Sequence, residues 1–158
     1  MLFAWNETLK VGVAAIDNDH KEIIDLINDA SAIARRSTSH SAVVELLHRL
    51  GNVFQQHFLK EQALMTASGY SGCSEHTSQH DEFLDAYRSM IALSGGGRQR
   101  TDGAISFALK FIIGHRSCHD AKLAEHLEFH RPRIRVSAVM VGQGQSMGHG
   151  YAARGRIS

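Results

Sequence analysis

The chain has 158 residues with a formal charge of +1, 43% hydrophobic residues and 21% charged ones. That is enough for one domain with a buried core. It lacks the strongly basic balance of a nucleic-acid binder and any apolar run long enough for a membrane span. Eleven histidines against a single proline is the unusual feature.

The charge is uneven. The last 28 residues hold five Arg and no Asp or Glu, so the rest of the chain is net acidic. Cys73 and Cys118 form neither a CxxC motif nor a disulfide framework, which fits a reducing compartment. No basic segment followed by a long apolar stretch opens the chain, so no signal peptide is expected and a cytoplasmic location follows.

In chain order, residues 1–15 carry Leu2, Phe3, Trp5 and Gly12 without helical period and read as an ordered arm with its aromatics on the domain. The first helix is expected from near Asp17, a favoured N-cap type, to about Arg36. Ile16, Ile23, Ile27, Ala30 and Ala34 form its apolar stripe, and His20 falls on it.

A Ser-Thr-Ser break leads to a second helix from about Ser41 to Ala67. Its inward positions are Val43, Leu46, Leu47, Leu50, Val53, Phe54, Leu64 and Met65, with His57 and Glu61 where Leu would be expected. Residues 68–72 (SGYSG) form a turn cluster. A third helix, about Ser74 to Leu93, puts Cys73, His76, His80, Phe83, Tyr87 and Met90 on one face.

After a glycine-rich loop, a fourth helix should run from about Asp102 to His130, where Pro132 ends it. Its inward positions are Ile105, Ala108, Ile112, His115, Leu123 and Leu127. Four amphipathic helices with short connections predict an all-α, antiparallel up-down-up-down four-helix bundle. The bundle is expected to occupy residues 1–130, followed by a basic, Gly-rich extension over 131–158.

The polar residues on the inward faces carry the chemistry. His57/Glu61 and His76/His80 are spaced i, i+4, which places each pair on one side of a helix. A lone core histidine is ordinarily a hydrogen-bonded packing residue, and either pair alone could face solvent. Together with His20, however, five buried groups without partners would offset most of a domain's net stability of roughly 5–15 kcal/mol. One or two divalent transition metals would satisfy them together, taking imidazole lone pairs and pairing carboxylates.

His115 and Asp120 are five apart, about 140° around a regular helix. Either His119 is the ligand below His115, or the helix widens into a π-type turn that brings Asp120 inward. The latter is expected. His119, His126 and His130 otherwise read as a second, solvated row.

The set His20, His57-x3-Glu61, His76-x3-His80 and His115-x4-Asp120 resembles the hemerythrins, and most closely the single-domain bacterial ones. The likeness covers about residues 3–130. Trp5, Val11-Gly12-Val13, Ile16-Asp17, Phe58, Met65, Gly69-Tyr70 and Phe83 support it. The chain departs from the family pattern at Phe111, where Trp is frequent, and at Ser71, Gln62, Arg116 and Leu123.

The resemblance implies two iron ions with an oxo or hydroxo bridge and reversible dioxygen binding, for storage, delivery or sensing. Glu61 and Asp120 would bridge the irons; His76, His80 and His115 would hold one, His20 and His57 the other. From helical facing, the ligand pocket would be walled by Ile23, Ile24, Phe54, Phe111 and Ile112. Dioxygen is then the ligand, an oxygen-consuming enzyme or redox protein the partner, and no enzymatic reaction is implied. The competing functions are a di-iron redox enzyme acting on peroxide or nitric oxide, and an iron-responsive interaction module.

Overall fold

A computed structural model describes residues 2–36, 40–93 and 97–129. A 3-10 turn, Glu7–Leu9, interrupts the N-terminal arm. Four long helices follow: α1 (Ala14–Arg36), α2 (His40–Ser68), α3 (Cys73–Ala92) and α4 (Arg98–His115). A π-helical turn (Arg116–Asp120) joins α4 to a last segment, α5 (Ala121–Phe129). The described residues contain no strand. Each of α1 and α3 packs against both α2 and α4, which gives the expected four-helix bundle.

Two helix starts differ from those read in the sequence. The first begins at Ala14, because the amide of Asp17 already bonds the carbonyl of Val13 at 2.9 Å. Asp17 therefore lies inside the first turn and is not the N-cap. Its carboxylate turns back and accepts the amides of Val11 (2.7 Å) and Gly12 (3.2 Å). Gly12 allows that return, with φ at +94°.

The fourth helix begins at Arg98, four residues before Asp102. Arg98-Gln99-Arg100 looks like loop because it is polar, yet it forms an exposed first turn after Gly97. Helix α2 ends in a Schellman arrangement: Tyr70 N–H to Met65 O at 3.0 Å and Gly69 N–H to Thr66 O at 3.3 Å, with Gly69 at φ +66°. The end of the last helix at Pro132, His130 and the basic extension all lie outside the described residues.

The arm is held by side chains. Asn28 accepts the amides of Leu2 (2.7 Å) and Phe3 (3.0 Å) and donates to the Phe3 carbonyl at 2.7 Å. Phe3 and Trp5 pack on the main core as expected, while Leu2 stays exposed. Arg116 of the π turn donates to the Leu9 carbonyl at 3.2 Å.

The core is in two pieces. A large apolar cluster runs through Ile23, Ile27, Leu47, Leu50, Phe54, Phe83, Tyr87, Ile105 and Ile112. A small one consists of Ile16, Met65 and Leu123, edged by Leu64, Tyr70, Cys73 and Leu127. Along each helix the histidines and carboxylates fall between these two clusters, so a polar layer crosses the bundle.

Candidate metal centre

Each helix contributes to that layer: α1 gives His20, α2 His57 and Glu61, α3 His76 and His80, and α4 with its π turn His115 and Asp120. All seven are buried, and none is more than 5% exposed. Their ligating atoms fall into two overlapping groups, each within 4.8 Å: Glu61, His76, His80, His115 and Asp120 in one, His20, His57, Glu61 and Asp120 in the other. The two carboxylates are common to both.

Glu61 Oε2 lies 3.2 Å from His80 Nε2, 3.4 Å from His76 Nε2 and 3.7 Å from His57 Nε2. Asp120 lies 3.0 Å from His20, 3.1 Å from His115 and 3.2 Å from His76, each through Nε2. Nε2 of His115 is also 2.9 Å from Nε2 of both His76 and His80.

Apart from the two contacts of His115 with His76 and His80, proximity does not amount to hydrogen bonding here. Both ring nitrogens of His20 and His57, and all four oxygens of Glu61 and Asp120, are buried without an aligned partner. Polar atoms stranded in an apolar core are costly. Lone pairs aimed at shared points, with two anions between them, fit divalent cations well.

The π turn is what brings Asp120 in. Five residues in π geometry, Arg116–Asp120, put it on the His115 face, the widening expected from the i, i+5 spacing. His119 is left half-buried with its ring stacked on His115 at 4.9 Å, and it belongs to neither group. His126 corrects the reading of a solvated row. It is half-buried, and its Nε2 lies 3.1 Å from the Ser68 carbonyl at the end of α2.

The electrostatics of the cluster itself are those of an anionic hole. Burial opposes ionisation of Asp120, but contacts with His115, His20 and His76 outweigh it and hold the carboxyl well below its usual range. Glu61 is lowered in the same way, with His76 and His80 outweighing burial. Burial disfavours a proton on His76, yet Asp120 and Glu61 push its pKa up to about 9. His80 goes the other way, to about 4, because burial dominates and His115 and His76 add to it. A proton on His76 thus does part of what a cation would do.

Around the polar layer lie rings. Phe58 stacks on His80 at 3.8 Å and 7°, and Phe111 on His115 at 4.7 Å and 18°. Ile23, Ile24, Phe54 and Ile112 are buried and Phe111 half-buried, all in or against the large cluster. Phe58 is a further wall residue, and its place directly after His57 is the sequence signal for it. Asp19 is a further residue of the site that the sequence does not mark. Its carboxylate lies 3.5 Å from His57 Nδ1 and is bonded by Lys60, and no local sequence pattern links these three.

A four-helix bundle crossed by a buried layer of five imidazoles and two carboxylates defines a metal-binding helical protein. The sequence pattern of the Hemerythrin HHE cation binding domain matches residues 11–130. Bacteriohemerythrin of Pseudomonas aeruginosa is 32% identical over 117 residues, covering 74% of this chain and 76% of that protein. Bacteriohemerythrin of Stenotrophomonas maltophilia is 25% identical over 129 residues (82% and 84%), and myohemerythrin of Riftia pachyptila 23% over 125 residues (79% and 93%). The chain belongs to the hemerythrin family.

Proposed function

We propose that this chain binds dioxygen reversibly at a non-haem di-iron centre held by His20, His57, Glu61, His76, His80, His115 and Asp120. The supporting observation is the pair of overlapping ligand groups that share Glu61 and Asp120. Glu61 and Asp120, common to both groups, would be the donors shared by two cations. His76, His80 and His115 would complete one position; His20 and His57 would supply the other, which has fewer protein donors and so would keep room for a small ligand.

Two irons, when bound, supply a reversible two-electron reduction of dioxygen. The chain's own contribution is to orient and to exclude water. Glu61 and Asp120 remain ionised through the contacts already described. Ile23, Ile24, Phe54, Phe111 and Ile112, with Phe58, keep protons and water from the layer, which favours release of the ligand over its further reduction. Five neutral imidazoles and two carboxylates also give the centre less negative charge than a carboxylate-rich set, so higher oxidation states are disfavoured.

Residues 1–130 form the oxygen-binding unit in this reading, and 131–158 a basic extension. The location is cytoplasmic, and an oxygen-consuming enzyme or a redox protein is the partner. Among the described residues, no helix is long and apolar enough to cross a membrane.

Metal analysis and visible spectroscopy test the reading. About two irons per chain, and a visible charge-transfer band that appears in air and disappears on degassing, are expected. Irreversible bleaching with turnover of peroxide or nitric oxide would replace it with a redox enzyme. Preference for zinc, with no response to dioxygen, would replace it with a metal-holding interaction module.

A further inference from the structure

Asp19 precedes His20 in sequence, but its side chain faces α2. One oxygen lies 3.5 Å from Nδ1 of His57, an ion-pair contact short of an aligned hydrogen bond, and the two oxygens accept from Nζ of Lys60 at 2.7 and 2.9 Å. The Asp19 side chain is 12% exposed and that of His57 fully buried. The other described histidine–carboxylate contacts in the layer run through Nε2; only at His57 does a carboxylate face Nδ1.

A ring nitrogen that faces a carboxylate is the one that keeps its proton, so the lone pair resides on the other nitrogen. Here that other nitrogen, Nε2, points toward Glu61 and the interior. Lys60 lies three residues after His57 on the same helix and draws the carboxylate's charge outward, toward solvent.

We propose that Asp19 and Lys60 act together as a positioning pair for His57, Asp19 fixing its tautomer and strengthening it as a donor while Lys60 limits that strengthening. The proposal rests on the reading of the layer as a two-metal centre. It assigns the pair to one position only, the one built from His20 and His57.

The two residues should then pull in opposite directions. Asp19→Asn keeps an acceptor but removes its charge, so His57 donates less and the reduced metal is favoured. Lys60→Met leaves the carboxylate uncompensated, so His57 donates more and the oxidised metal is favoured. A merely structural ion pair would be broken alike by both changes.

The test uses the full chain, stripped of metal and titrated with Co2+ by absorption and calorimetry, then loaded with iron for a redox titration. The wild type should take two equivalents. Asp19→Asn should weaken one of them by about ten- to a hundredfold and leave the other unchanged. The midpoint potential should rise in Asp19→Asn and fall in Lys60→Met. Two equivalents bound at wild-type affinity in both variants, or potentials that move the same way, would overturn the positioning role alone. A wild type that takes fewer than two equivalents would bring down the two-metal reading and the positioning role with it.

Discussion

Nε2 of His76 and Nε2 of His115, from neighbouring helices, stand 2.9 Å apart inside the bundle. Two imidazole nitrogens at that distance can share a proton or converge on a cation, and the nearby Asp120 carboxylate favours either. The layer's behaviour with and without metal should therefore differ sharply.

Without metal, stability should peak near pH 6.5 and fall on both sides. His76 is raised to about 9 in the folded chain. Its contribution is complete below the unfolded value of about 6.5 and is lost as pH rises through about 9. His80 is lowered to about 4. Its contribution is present above about 6.5 and is lost as pH falls toward about 4. Thermal unfolding of chelated protein from pH 4.5 to 9.5 would show the dome, and a flat profile would contradict it.

Metal removal itself should lower the melting temperature. At free metal a thousandfold above Kd, linkage contributes about 4 kcal/mol per metal site, so two sites shift the transition by on the order of 20 °C for a domain of this size. Calorimetric scans before and after chelation, at pH 7, measure the difference.

The shared carboxylates and the unshared imidazoles should respond differently to substitution. Glu61 and Asp120 belong to both ligand groups, His80 to one. Glu61→Ala or Asp120→Ala should weaken both metals, whereas His80→Ala should weaken chiefly one. Metal content per chain after dialysis separates the cases; equal losses in all three variants would argue against two distinct positions.

The π turn should tolerate the loss of its extra residue. Cys118 is exposed, so its deletion removes no core contact. A π turn is an α-helix with one residue inserted. Deleting Cys118 should restore regular helix, bring the aspartate to i+4 from His115 and keep its facing. Two metals should still bind, whereas inserting an alanine beside Cys118 should abolish binding. Metal loss on deletion would show that the wide turn is itself required.

Tyr87 is fully buried, and its hydroxyl bonds the Leu47 carbonyl at 3.1 Å. Tyr87→Phe should cost about 1 kcal/mol and leave metal content unchanged, as read by urea unfolding beside metal analysis.

The bundle and the seven converging residues were legible because a polar side chain on an apolar stripe breaks a strong periodic pattern. Even the π turn could be read, since the five-residue gap between His115 and Asp120 conflicts with a regular helix. Helix starts were less legible. Asp17 looks like a cap in sequence, but it serves the arm's amides instead, a choice made by tertiary placement. Asp19 and Lys60, from different helices, meet only once α1 and α2 pack, so no spacing rule could link them. The bond from His126 to the Ser68 carbonyl likewise depends on where α2 ends.

The N-terminal arm is fastened by Asn28, by Asp17 and by Arg116, and Arg116 is the immediate neighbour of His115. The fastening runs from the arm to the π turn that brings Asp120 into the polar layer. A pull on the arm would reach the turn beside His115, where seven side chains must keep their register.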